Sequence, residues 1–280
     1  MLHSAQHIEN LEGRQLLSSV ALGTHGVLKV RGDQGVDDVI SVGFVDDTAT
    51  QIRVSIAGKA DSVFAAADVK RVEIRGLSGD DDLSVDEAAA LFDRRVVFDG
   101  GAGNDTITGG AENDDIRAGQ GDDTIRANGG VNWVDAGAGN DSVDVSGTKS
   151  VVFGGPGDDA LVGSPGKDLI HGGRGNDTIW GFEGNDFLDG GQGNDQIYAD
   201  GDNDILVGGA GNDLLEGEDG NDKLYDASGQ DTLNAGAGDD TLWAGGKDDV
   251  IDAGDGTNVI KDHRPGSVQM LVRLVRLLGC

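Results

Sequence analysis

Read in steps of nine from Gly100, the chain repeats one hydrophobic pattern eighteen times, without insertion or deletion, to Lys261. GGAGNDTIT (100–108), GGRGNDTIW (172–180) and GGQGNDQIY (190–198) are examples. Position eight is aliphatic in every unit: Ile107, Ile116, Ile125, Val134, Val143, Val152, Leu161, Ile170, Ile179, Leu188, Ile197, Leu206, Leu215, Leu224, Leu233, Leu242, Ile251 and Ile260. One apolar residue among mostly polar neighbours predicts a very short strand with one side chain facing inward. The remaining positions are turn formers, with Gly where φ > 0 is expected. One unit cannot bury its apolar face alone, but stacked units can, so the pattern predicts a solenoid.

Residues 27–99 read as degenerate coils of the same solenoid with longer turns. VRGDQGVDDVISV (30–42) and IRGLSGDDDLSV (74–85) share a Gly-x-x-Gly start, an acidic run and an alternating strand. QIRVSIAG (51–58) alternates as a strand, and DEAAALF (86–92) reads as a short helix or lateral loop. Asp81 keeps the repeat spacing after Gly79. One extra residue blurs the register at Asp37 and Asp38, and for these acids a solvated turn weighs as much as a metal ligand. Segments 1–26 and 262–280 flank the solenoid as caps or targeting segments.

Composition sharpens this picture. The 280 residues include 49 Gly, 3 Pro and 4% aromatics, and 51 acidic against 21 basic side chains give a net charge of -30. Such acidity with few aromatics usually implies disorder. Here the acids recur at a fixed period, which fits ligands better than solvating charge. The excess disfavours nucleic acid and anionic membrane and favours divalent cations. Cys280 is the lone cysteine, so no intrachain disulfide can form. No stretch approaches the length of a membrane span, and the N-terminus lacks the basic and apolar regions of a signal peptide.

Position six carries the chemistry. It is Asp in fifteen of eighteen units, the exceptions being Asn132, Ser150 and Asn258. Position four is Gly in fourteen, the exceptions being Glu112, Thr148, Asp202 and Lys247. Calcium takes six to eight oxygens from carboxylates and carbonyls. Gly-rich turns let carbonyls converge and the Asp adds charge, whereas zinc would want Cys and His.

The pattern G-G-x-G-x-D-x-U-x resembles the RTX, or haemolysin-type, calcium-binding repeat, and does so over residues 100–261. The resemblance implies an all-β fold, a parallel β-roll or right-handed β-solenoid of tandem nonapeptides with 18 residues per coil. It implies several Ca²⁺ ions, held between successive coils by the sixth-position Asp and by turn carbonyls. The candidate turn positions are Gly101, Gly103, Gly119, Gly121, Gly137, Gly139, Gly155, Gly157, Gly173, Gly175, Gly191, Gly193, Gly209 and Gly211.

Two units per coil should give two edges, and the sequence separates them. Odd units carry Asp105, Asp123, Asp141, Asp159, Asp177, Asp195, Asp213, Asp231 and Asp249 at position six without exception. Even units carry Asp114, Asp168, Asp186, Asp204, Asp222 and Asp240, together with all three exceptions. Position two is Gly in eight of nine odd units, broken only by Ala227, but in three of nine even units. The odd edge is therefore expected to hold a continuous row of ions. The even edge is expected to hold them mainly from Asp168 to Asp240, with Asn132 and Ser150 marking an empty stretch. Roughly a dozen ions result.

At position seven the even units place Trp133, Val151, Leu169, Phe187 and Ile205, an outward apolar stripe one coil apart. Cover by another part of the chain is the plainer reading of this stripe, and a protein- or surface-docking face is the sharper one. The tail VQMLVRLVRLLGC (268–280) is an amphipathic cap, or a type I secretion signal of the kind RTX proteins carry. LEGRQLLSS (11–19) resembles the LEPR-x-LL-type segment of planctomycete surface proteins, with Gly13 in place of the usual Pro, and implies export.

Catalytic constellations are missing. His3, His7, His25, His171 and His263 are dispersed, and no HExxH or GxSxG motif occurs. His171, at position nine, reads as a solvated side chain. The expectation is a non-enzymatic, calcium-binding extracellular or cell-surface module that folds on metal binding. The alternative is the non-catalytic RTX portion of a secreted protease, lipase or polysaccharide epimerase, or an adhesin. Ice binding is disfavoured because, within the nonapeptides, only TIT (106–108) supplies a Thr-x-Thr row.

Overall fold

The computed structural model describes residues 18–45, 49–86, 95–245 and 248–262. The segments 11–17 and 263–280 lie outside them, as do residues 87–92 of the expected helix or lateral loop, of which only Asp86 is placed, at the end of a strand.

The nonapeptides fold as the pattern requires. Each unit contributes one short strand, and successive units alternate between two thirteen-stranded sheets. Within the repeats every strand pairs in parallel with the strand 18 residues away, as in Ile107 with Ile125 and Ile116 with Val134. The eighteen units thus make a β-solenoid of nine coils, two units each. The aliphatic column points between the sheets. From Ile107 to Leu242 it is at most 1% exposed, and small position-one residues such as Ala118, Ala136 and Ala199 fill the corners beside it. Ile251 is half-buried and Ile260 exposed at the last described coil.

Two further coils precede the repeats. Strands β2 (Val27–Arg31) and β6 (Arg71–Arg75) extend one sheet, and β3 (Val39–Phe44) and β7 (Asp82–Asp86) extend the other. Both continue into the repeats through β8 (Val96–Ala102) and β9 (Thr106–Thr108). The starting edges are closed by antiparallel strands. β1 (Ser19–Leu22) covers β2, and β4 (Gln51–Ile56) with β5 (Ser62–Ala65) covers β3. Each sheet thus starts on a four-residue strand, β1 or β5, and so short an edge is a poor template for pairing with another chain. Among the described residues, no helix is long and apolar enough to cross a membrane.

The two turns of a coil differ. Strands of the first sheet, such as Asp115–Gln120 and Phe187–Gln192, run from position seven of an even unit through position three of the next odd unit. Strands of the second sheet are mostly three residues long. The odd turn is therefore partly strand, and Gly101, Gly119 and Gly137 pair in register across it.

Candidate metal centre

Strand pairing at an 18-residue shift stacks the position-six side chains into two ladders. On the odd edge each aspartate accepts the backbone N–H of its counterpart one coil earlier. Asp105 N–H donates to Asp123 Oδ1 at 2.7 Å, Asp123 to Asp141 at 2.8 Å and Asp141 to Asp159 at 2.8 Å. The series runs on through Asp177, Asp195, Asp213 and Asp231 to Asp249. It also runs back beyond the repeats, where Asp81 donates to Asp105 and Asp38 to Asp81. Asp81 is 2% exposed and Asp38 6%, so these two are buried rungs of the ladder and not solvated turn residues. Their insertion-rich turns concealed this in the sequence.

The other carboxylate oxygen is the informative one. Oδ2 of Asp81, Asp105, Asp123, Asp141, Asp159, Asp177, Asp195, Asp213 and Asp231 is buried and accepts no hydrogen bond. The same turns carry carbonyls that find no backbone donor. Among the described residues no backbone N–H donates to the carbonyl oxygens of position-four Gly103, Gly121, Gly139, Gly157, Gly175 and Gly193. Each of these oxygens instead faces the corresponding glycine one coil later, so closely that a Cβ there would collide with it. The position-two carbonyls of Gly101, Gly119, Gly137, Gly155, Gly173 and Gly191 face Gly119, Gly137, Gly155, Gly173, Gly191 and Gly209 in the same way.

Buried, donor-less carboxylates repel their charge. Burial, opposed by the N–H bonded to Oδ1 and aided by neighbouring aspartates, pushes Asp105, Asp141 and Asp177 up to about 6. It pushes Asp81, Asp123, Asp159 and Asp195 up to about 7. A buried oxygen without a donor is unusual, and a bound cation satisfies it. An all-oxygen set of carboxylates and carbonyls suits a hard divalent ion such as Ca²⁺.

The even edge is divided. Asp186, Asp204, Asp222 and Asp240 repeat the odd-edge arrangement, each with a buried Oδ2 that lacks a donor. Burial raises Asp204 and Asp222 to about 7 and Asp186 to about 8. Asp114 and Asp168 do not match them. Asp114 Oδ2 accepts the N–H of Gly110 at 2.7 Å, and Asp168 Oδ2 accepts the N–H of Ser164 at 2.5 Å and its hydroxyl at 3.0 Å. Asn132 and Ser150 interrupt the column in two ways. The Asn132 amide donates to the carbonyls of Gly129 at 3.0 Å and Asn128 at 3.2 Å, taking up oxygens that a cation would need. Ser150 is too short to continue the ladder, and its buried Oγ has no partner.

One ligand candidate escaped the sequence pattern. Asp226 occupies position one, where other odd units carry Gly or Ala, and it is fully buried beside Asp213 and Asp231. Among the described residues these three form the only such group of acids close enough to share an ion. The signal was present as the single acid in the position-one column.

With this geometry in view, the comparison with known families is decisive. The RTX calcium-binding nonapeptide repeat (4 copies) matches residues 97–125, 108–143, 150–170, 162–197, 198–233 and 225–260. The chain belongs to this RTX repeat family. It binds calcium through its repeats, and its β-roll is a structural module. No curated protein matches the chain.

The outer face of the RTX roll corrects one expectation, the solvated reading of His171. The apolar stripe stacks in register, Trp133 on Val151, Leu169, Phe187 and Ile205. Its side chains are half-buried, however, because a second column at position nine packs beside it. Val207 is 1% and Tyr225 8% exposed against Phe187, Ile205 and Trp243, and Tyr225 stacks on Trp243 at 4.1 Å. His171 belongs to this second column and is half-buried and paired rather than freely solvated. Its Nδ1 lies 3.0 Å from the buried Asp189 carboxylate, which raises its pKa, and its ring meets Phe153 edge-on.

Proposed function

We propose that this chain is a non-catalytic structural module that folds on calcium outside the cell, in the medium or at the cell surface. The observation that carries the reading is the odd-edge ladder of buried aspartates from Asp81 to Asp231, each with one oxygen tied to the preceding coil and one without a donor. In the calcium-free chain the ladder sets like charges in a row without counterions, so the folded state is opposed. Calcium satisfies the free oxygens and joins successive coils, and its binding energy becomes folding energy.

Extracellular calcium modules bind at roughly 10⁻⁴–10⁻³ M. Low calcium in the producing cell would then keep the chain unfolded for export, and millimolar calcium outside would fold it. We place roughly a dozen ions along the two edges. Metal analysis giving about eighteen, or none, would contradict that number.

The test is far-UV circular dichroism during a calcium titration from EGTA, with magnesium as control. A cooperative coil-to-β transition near millimolar Ca²⁺ and absent with Mg²⁺ is expected, since Mg²⁺ demands a tighter octahedral site and sheds water reluctantly. A chain equally folded in EGTA, or one that calcium never folds, overturns the reading. Screening the calcium-loaded protein for hydrolase and epimerase activity tests the absence of catalysis.

A further inference from the structure

The turn that opens at Asp226 is built unlike the other odd turns. Elsewhere these turns begin with Gly or Ala, and all but this one carry Gly at position two. Here the pair is Asp226-Ala227, and Ala227 does not adopt the positive φ found at Gly191 and Gly209. The strand leading into it stops at Tyr225, before the turn, whereas the two preceding strands of the sheet run three residues further, to Gln192 and Ala210. Sequence and backbone therefore change together at this coil.

The change delivers a third carboxylate to the ladder. Asp226 is 0% exposed, Asp231 1% and Asp213 3%. Carboxylate oxygens of the three lie within 4.8 Å of one another. Asp226 Oδ1 accepts the N–H of Ser228 at 3.1 Å, while its Oδ2 accepts no hydrogen bond, like those of Asp213 and Asp231. That free Oδ2 lies over Gly208, the position-one glycine of the preceding odd turn, next to Asp213 Oδ2, and a side chain on Gly208 would collide with both. Among the described residues the charged groups acting on Asp226 are Asp213 and Asp231, both acidic.

We infer that Asp213, Asp226 and Asp231 form a three-carboxylate calcium site, distinct from the two-carboxylate sites of the repeats and filled before them. This deepens the proposed calcium-folded reading and rests on it. The donor set is oxygen alone, which selects a hard cation, and calcium affinity rises with the number of carboxylates in a rigid site. The first ion to bind would join the coils of Asp213 and Asp231 and give the neighbouring rungs a folded template.

Equilibrium dialysis against ⁴⁵Ca²⁺ from about 1 µM to 10 mM tests this, on the full chain and on Asp226→Ala and Asp226→Asn. Alanine stands at this position in other odd turns, and asparagine keeps the shape without the charge. The wild type is expected to hold about one ion at least about tenfold more tightly than the bulk of its sites. Both variants are expected to lose that ion while keeping the cooperative millimolar step, followed in parallel by circular dichroism. The inference is overturned if the tight ion is absent from the wild type or persists in both variants. Loss of the millimolar step from the variants along with the tight ion also overturns it, because Asp226 would then be needed for the fold at large. Failure of the wild type to bind calcium at any concentration would sink the calcium-folded reading itself, a result separable from the others.

Discussion

Asn132 shows how one atom changes the chemistry of a rung. Its carboxamide reproduces the outline of an aspartate, and Oδ1 still accepts the N–H of Asp114 at 3.0 Å. Where an aspartate would present its second oxygen, the amide N–H₂ reaches the turn carbonyls. Asn258 does the same with the carbonyl of Ala253. Asparagine thus acts as an internal substitute for the cation, and the coil closes without metal. Asn132→Asp should convert this turn into a calcium-dependent one. In EGTA the change should destabilise the fold by about 1–3 kcal/mol, since a donor facing carbonyls becomes another acceptor. In saturating calcium that loss should be recovered and the bound metal should rise by about one ion. Metal analysis with thermal melts in EGTA and in calcium checks both, and an unchanged ion count would refute the substitution argument.

At the scale of the element, the sequence bias in position two has a backbone cause. On the odd edge this residue holds φ between +111° and +124° from Gly101 to Gly209, a region closed to side chains, because the strand continues through it. On the even edge the corresponding φ is +55° at Asn128, +71° at Phe182 and Asp200, and +67° at Glu218, ordinary left-handed backbone that other residues tolerate. Gly137→Ala would add strain and also push its Cβ into the carbonyl of Gly119. Its cost should be about 2–3 kcal/mol. Phe182→Gly, at an exposed even-edge turn, should change stability by about 1 kcal/mol or less. The midpoints of calcium-driven folding measured by circular dichroism compare them, and equal shifts would mean that the two turns are not conformationally distinct.

At the scale of the molecule, the net charge of -30 is opposed by protons or by calcium. The ladder aspartates are raised in the folded state to between about 6 and 8, from an unfolded value near 3.9. A carboxyl raised on folding favours the fold below its unfolded value, and that contribution disappears as pH climbs through the folded value. In EGTA the chain should therefore be more structured at pH 5 than at pH 8. The lower pH stays clear of the isoelectric region near 4.1. With calcium the dependence reverses, because protons compete for the same oxygens, so the folding midpoint should move to higher calcium as pH falls from 8 to 6. Circular dichroism over a grid of pH and calcium reads both trends. A metal-free chain that gains structure towards pH 8 would show that the carboxylates are not charged and crowded as the ladder requires.

What the sequence determined by itself is what recurs locally. The aliphatic column, the position-six acids and the inequality of alternate units each follow from comparing a residue with its counterpart nine or eighteen positions away, and that inequality agrees with the two units per coil that the resemblance implies. Parallel stacking preserves that spacing, so the period becomes the register. Tertiary structure decided whatever depends on the atoms facing a side chain across the gap between coils. Asp38 and Asp81 join the ladder although their 43-residue spacing breaks the period. Asp114 and Asp168 share the repeat position of Asp186, yet find protein donors where Asp186 finds none. Asp226 becomes a ligand candidate only because stacking sets it beside Asp213, and His171 gains its partners only because Asp189 and Phe153 lie in adjacent coils. The period specifies which residue types recur. The donors, charges and volumes around each one are supplied by neighbouring coils, and only folding brings those together.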